Sequence, residues 1–383
     1  MGIHFTKKEF IERQSKVIKE LKNQGLDALL MFKQESMYWL TGYDTFGFVF
    51  FQCLILTAKG DLILLTRAPD LRQAQNTSII KDIRIWVDKD QSNPSDHLKN
   101  ILTELRLEKS NLGVEYESYG LTGRNAIRLN NSLNNLTTLH DKSELVSHFR
   151  VIKSAAEIIY IKKAAELADK AMEAAWKHSH EGANESKILA EMQGVVFNGG
   201  GDYPANEFII GSGKNALLCR YQSEKRNLDA IDQLSIEWAG TYKHYHSAMF
   251  RTIPIGKIND KQKKMYDACA EALNACENKL KPGSTAGEVF DIHAKTFDKL
   301  GYKNSRMNAC GYSLGALFAP NWMDWPMLYT GNPYVIQPGN VFFMHMILMD
   351  SDNELAMNLG ETYLVTETGN ERLGKKKIDL VVG

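Results

Sequence analysis

Glu237 lies in the apolar stretch LSIEWAG, and its surroundings raise the first chemical question of this sequence. If the stretch is a strand, alternation puts Glu237 on the face opposite Ile236 and Trp238. A carboxylate there is costly to bury unless it is paired or poised to react, so it reads either as a structural ion pair or as a catalytic group. His246 and His345 are candidates for proton transfer, because an imidazole titrates near working pH and can both take and return a proton. A lone histidine also serves as a satisfied structural group. Tyr312, in CGYSLG, can donate to a substrate or to a developing negative charge, or simply pack in a core. Arg220, in GSGKNALLCRY, presents a planar fork suited to a carboxylate. Trp322, Trp325 and Tyr329, in APNWMDWPMLY, offer aromatic faces suited to a delocalised cation, or they pin a loop to the core.

The composition narrows what these residues can act on. Lys and Arg number 46, Asp and Glu 46, and no basic run exists that would neutralise a row of phosphates, so no nucleic acid partner is expected. The longest apolar run, FGFVFFQCLIL from Phe46 to Leu56, falls well short of the roughly 20 residues a membrane helix needs. It reads as adjacent buried strands, and no membrane partner is expected. The N-terminus shows no secretory pattern, which makes a cytoplasmic location the expectation. The five cysteines, Cys53, Cys219, Cys269, Cys276 and Cys310, lack paired metal-binding spacing and read as reduced, mostly buried thiols. The expected partner is a small-molecule substrate.

A chain of 383 residues is long for one core, so two domains are expected. Phe10, Ile11, Val17, Ile18 and Leu21 recur at helical spacing and predict an amphipathic opening helix. LDALLMF is a short apolar run, and CLILTAKGDLILLT reads as two strands about a Lys59-Gly60-Asp61 turn. The character changes near Ser147, where a long Ala-, Glu- and Lys-rich helix begins and runs through His178. Strand-like DQLSIEWAG and AMFRTIPIG follow, then a helix from about Asp260 to Leu280 stopped by Pro282-Gly283. VFFMHMILMD and ETYLVTETG close the chain. The division is expected at 148/149, with an α/β domain over 1–148 and an α+β domain over 149–383.

Five segments in order resemble one family along nearly the whole chain. YWLTGYDTFGFVFFQCLIL, FRVIKSAAEIIYIKKAAELAD, EWAGTYKHYHSA, PGNVFFMHMIL and ETYLVTETGNERL are similar to segments of the creatinase/prolidase superfamily. The resemblance implies a creatinase-like α/β N-terminal domain and an α+β pita-bread catalytic domain. Metal-dependent members hold two divalent ions on two Asp, one His and two Glu, the hard-oxygen and imidazole donors such ions require. On that family's pattern Glu237 stands at the first Asp and Ala248 at the second, with Tyr242, Tyr245 and Ser247 keeping the frame. Tyr312 stands at the His, His345 at the first Glu and Gly360 at the second.

All five ligand positions are therefore changed, and neither metal nor other cofactor is expected. Creatinase and ectoine hydrolase are the members that work without metal, and this sequence resembles ectoine hydrolase more closely. The shared features are the strand pair carrying Glu237, Tyr245, His246, Arg251 and Thr252, the DYPA segment from Asp202 to Ala205, and Gly311 to Trp322. That resemblance implies Glu237 as a carboxylate nucleophile; His345, at a ligand position, and His246, next to one, are the expected proton carriers, and Tyr312, Trp322 and Tyr242 are expected around the substrate, with Arg220, which departs from the histidine usual at its position in relatives, as a partner for a substrate carboxylate. It also implies a homodimer in which Phe46 and Phe48 close a neighbouring site.

Overall fold

The structure, a computed structural model, describes residues 2–220 and 223–383. These form two compact units, Met1–Arg150 and Val151–Gly383. The N-terminal unit opens with a helix, Lys7–Asn23, capped by the Thr6 hydroxyl. It buries Phe10, Arg13, Val17 and Leu21, while Ile11 points to solvent. Six strands follow: β1 (Ala28–Met31), β2 (Cys53–Thr57), β3 (Leu62–Arg67), β4 (Asp82–Trp86), β5 (Asn111–Val114) and β6 (Thr138–Asp141). They form one sheet in the order β4-β3-β2-β1-β5-β6. The β2–β3 hairpin turns at Gly60, whose φ of 101° suits a residue without Cβ. Apolar side chains on both sides of this sheet build two cores, as expected of an α/β layer arrangement.

The apolar run at Phe46 does not form the expected pair of buried strands. Thr45 Oγ1 accepts the Gly47 amide and donates to Asp70, and a 3-10 turn spans Gly47–Val49. Only β2 continues from it, and Phe46, Val49 and Phe50 are exposed. Side-chain oxygens that satisfy nearby amides compete with the ladder in this way.

The second unit begins on a 24-residue helix, Ala155–His178, closed at its start by a capping box between Ser154 and Glu157. Its strands are β7 (Ile209–Ser212), β8 (Asp232–Tyr242), β9 (Tyr245–Ile255), β10 (Gly311–Ser313), β11 (Asp324–Met327), β12 (Val341–Asp350), β13 (Leu355–Val365) and β14 (Asn370–Arg372). The sheet order is β11-β10-β12-β13-β9-β8-β7, with β14 on the flank of β13. The Ala155–His178 helix packs against β8, where a Cβ at Gly240 would meet the main chain at Ala164. Trp238, on the helix side of β8, donates its indole N–H to Ala168 O at 3.0 Å. Helices Asp260–Lys279 and Ala286–Lys299 cover another part of the sheet through Cys269, Cys276, Phe290, Phe297, Met344 and Met346. The cysteines are free. Among the described residues no helix is long and apolar enough to cross a membrane.

Candidate active site

The strand register assembles the site. Glu237 on β8 opposes Phe250 on β9, Phe250 opposes Gly360 on β13, and Gly360 opposes His345 on β12. Directly opposed residues share a face, so these four form one row across four strands. Tyr312 on β10 opposes Phe343, two residues from His345 on the same face. At roughly 4.8 Å per strand, β10 and β8 would be about 19 Å apart in a flat sheet. The Tyr312 hydroxyl nevertheless donates to Glu237 Oε1 at 3.2 Å. A tyrosine side chain cannot span 19 Å, so the sheet curls and its face closes on the row.

Tyr312 is the hub of this concave face. Its oxygen accepts the Trp322 indole N–H at 2.9 Å while its proton goes to Glu237, giving a buried Trp322–Tyr312–Glu237 chain. Its ring stands 5.7 Å from that of His345 and 5.5 Å from that of Phe343. Glu237 is 9% exposed, and burial raises its pKa to about 7 against the opposing pull of the Tyr312 hydrogen bond and the positive charge of Arg220. At neutral pH the carboxyl is thus close to half ionised. Cys219, beside Arg220, has its thiol pKa raised by burial and by the Glu237 charge. The 219–220 turn therefore lies within electrostatic reach of the carboxylate.

His345 is half-buried, and its Nδ1 is buried with no hydrogen-bond partner. Burial lowers its pKa to about 4, and Arg220 pushes the same way, so the ring is neutral at pH 7. His246 is placed differently. Its Nε2 accepts the Ala205 amide at 2.9 Å and its Nδ1 faces Gly315 O at 3.5 Å. With burial lowering its pKa to about 3, it is a neutral ring tying three chain segments together. It lies 6.2 Å from the Trp322 ring, beside the hub, with both nitrogens turned to main-chain groups.

Glu237, Tyr312, Trp322, His345 and Arg220 are thus brought together. Tyr242 lies five residues along β8 and packs on Tyr160 at 5.9 Å. His244 is half-buried and stacks on Phe318 at 4.2 Å. Trp325 packs on Tyr334 at 5.1 Å and Tyr329 is exposed. Phe48 is buried and Phe46 is 80% exposed, both in the N-terminal unit.

Two features of the row escaped sequence reasoning. Arg251 and Glu361 form a buried ion pair, with side chains 4% and 1% exposed. Arg251 also donates through Nη1 to Phe250 O at 2.8 Å and Gly360 O at 2.7 Å, which fixes two members of the row from behind. The second feature is Phe343: a Cβ at Gly360 would lie 2.7 Å from two of its ring carbons.

These residues do not make a two-metal donor set. Ala248 and Gly360 bring no donor atom, a phenyl ring fills the space next to Gly360, and the Tyr312 hydroxyl is engaged on both sides. Among the described residues no group of three or more His, Cys, Asp or Glu is placed to hold a metal ion, and Glu237 with His345 alone falls short of what two bridged ions need.

Known proteins give this architecture a context. The ectoine hydrolase of Halomonas elongata is 26% identical over 97% of this chain and 97% of its own length. An Xaa-Pro dipeptidase of Pyrococcus horikoshii is also 26% identical, over 97% of this chain and 99% of its own. The crystal structure of the prolidase from Pyrococcus horikoshii OT3 superposes with a TM-score of 0.84 at 25% identity, covering 97% of this chain and 100% of that one. The curled sheet with its flanking helices is the pita-bread fold. Residues 13–152 match the creatinase/prolidase N-terminal domain and residues 160–367 match metallopeptidase family M24; the chain is a member of that family.

Proposed function

We propose that this protein is a metal-independent hydrolase that cleaves a C–N bond in a small nitrogen compound, with Glu237 as a carboxylate nucleophile. The observation that carries the reading is the Glu237–Tyr312 pair, a buried carboxyl with its pKa raised to about 7, set in a site whose residues do not suit two ions. Attack by the carboxylate on the carbon of a protonated amidine forms a C–O bond; a proton then passes by way of His345 from the retained nitrogen to the departing one, the C–N bond breaks, and the neutral amine leaves an imidate ester on Glu237. Water cleaves the acyl-type intermediate: His345, neutral at pH 7, takes a proton from that water as the new C–O bond forms, and Glu237 departs as carboxylate. Tyr312 holds Glu237 and donates to negative charge as it develops. Arg220 pairs with a substrate carboxylate. His246 holds the Ala205 and Gly315 segments in place. Ectoine is the first substrate to test and creatine-like amidines the second, in line with the similarity to ectoine hydrolase.

The equally similar Xaa-Pro dipeptidase supports a second reading, peptide cleavage before proline. That chemistry as the family performs it needs the two-metal donor set, and Ala248 and Gly360 stand against it. A homodimer of about twice 43.3 kDa, with Phe46 and Phe48 at the neighbouring subunit, belongs to the same proposal and is read by light scattering. The deciding experiment incubates the protein with ectoine, hydroxyectoine, creatine and Xaa-Pro dipeptides, with and without chelator, and follows products and intact mass. Turnover of an amidine in chelator, with an adduct on the Glu237 peptide, is expected. Dipeptide cleavage abolished by chelator would overturn the proposal, and binding without turnover would make the protein a binding module.

A further inference from the structure

We infer that Phe343 is a positioning residue that fills the space a metal-binding carboxylate at position 360 would need, and that it holds Tyr312 and His345 in place for the reaction. The inference rests on the proposed function for its catalytic half only. Phe343 is fully buried and carries no polar group for the reaction, so it acts through its neighbours. Its ring lies 5.5 Å from Tyr312 at 61° and 5.5 Å from His345 at 52°, and those two rings lie 5.7 Å apart at 56°. One pair is edge-on and the two that include His345 are tilted, so each ring packs on both of the others and restricts their orientation.

The ring has room only because Gly360 lacks a side chain. A Cβ there would stand 2.7 Å from ring carbons Cε2 and Cζ and 3.0 Å from Phe250 Cβ, closer than packed carbons approach. Gly360 and Phe343 thus form an interlock between β13 and β12, directly between Phe250 and His345 in the row. The carboxylate side chain that a metal would need at position 360 and the phenyl of Phe343 exclude one another. The loss of the ligand and the gain of the buttress are two sides of one substitution pattern.

The test is a double-mutant cycle together with kinetics. Gly360→Ala is expected to lower the unfolding midpoint of the wild-type protein, and to lower it by less than half as much in the Phe343→Ala background, where the added methyl enters vacated space. Phe343→Ala is expected to reduce kcat on the order of tenfold or more with KM within about twofold, since the binding groups remain and the reacting groups lose register. Benzene, which enters dry apolar cavities of this kind, is expected to restore part of the lost kcat, and Phe343→Leu is expected to keep most of it. If Phe343→Ala does not fold, Phe343→Leu replaces it in the cycle. Additive midpoint shifts would overturn the interlock, and wild-type kcat in Phe343→Ala or no recovery with benzene would overturn the positioning role. If the wild-type protein turns over no amidine, the proposed function fails, while the unfolding cycle still decides the interlock.

Discussion

Replacing Glu237 by glutamine should make the protein more stable at pH 8 and inactive at every pH. The folded carboxyl has its pKa raised from 4.5 to about 7, chiefly by burial. Below pH 4.5 the group is protonated in both folded and unfolded chains, so burial costs nothing extra there. As pH rises from 4.5 to 7 the unfolded chain ionises first, and stability is progressively lost. Above pH 7 the folded protein carries the full penalty. A difference of about 2.5 pH units at about 1.4 kcal/mol each amounts to about 3 kcal/mol. Glutamine keeps the shape and can still accept from Tyr312, but it never ionises. The variant should therefore match wild type near pH 4 and exceed it by about 3 kcal/mol at pH 8. His246, His293 and His345, all with pKa lowered by burial, destabilise both proteins alike in acid and cancel in the difference. Urea unfolding of both proteins from pH 4 to 8 reads the effect, with the N-terminal unit, unchanged between them, as internal reference. Parallel stability curves, or a variant less stable at pH 8, would refute the claim that Glu237 is held in the fold at an energetic cost.

Other residues of the site give further outcomes. Tyr312→Phe removes the hydrogen bond that lowers the Glu237 pKa and leaves the Trp322 N–H without its acceptor; the acid limb of the pH–rate profile should move to higher pH and stability should fall by about 1–3 kcal/mol, read by kinetics and urea melts. Arg220 lowers the pKa of both Glu237 and His345, so Arg220→Gln should raise both, shift the acid limb to higher pH, and raise KM for a carboxylate-bearing substrate at any pH. Glu361→Ala strands the Arg251 guanidinium in a buried setting and should cost about 3–5 kcal/mol in an unfolding titration. Wild-type activity on ectoine should persist in chelator and show a half-maximal acid limb near pH 7.

Much of this was legible in the residues. The Asp260–Lys279 helix, the β2–β3 hairpin and β12 each follow from periodicity, turn chemistry or an apolar run with clear ends. Glu237 stood out because a carboxylate in an apolar strand has few comfortable explanations. The interlock was not legible, since Phe343 and Gly360 look like an ordinary core residue and an ordinary strand glycine until register places one over the other. The Glu361–Arg251 pair was hidden for the same reason: each residue lies in its own strand, and only the β9–β13 pairing joins them. A signal did exist in GETYLV, where a carboxylate inside an apolar strand demands a buried partner just as Glu237 does. His246 shows a different limit. Its proximity to a ligand position suggested proton transfer, whereas the identity of the groups facing its two nitrogens, Ala205 N–H and Gly315 O, depends on where loops distant in sequence come to rest.

The electrostatic arrangement of the site bears on its chemistry as a whole. In water a glutamate gives up its proton well before a histidine does, so the two together make an ion pair. Here the order is inverted, with Glu237 near 7 and His345 near 4, because burial disfavours the charged form of each; Arg220 pushes His345 further down and only partly offsets the rise at Glu237. At pH 7 the imidazole is a free base, in the same row as a carboxyl that is part acid and part carboxylate. A pair of divalent ions would abolish that inversion by holding the carboxylate ionised throughout. On the proposed mechanism, the residues that leave no side-chain donor at positions 248 and 360 are the same residues that allow Glu237 to act as an organic group.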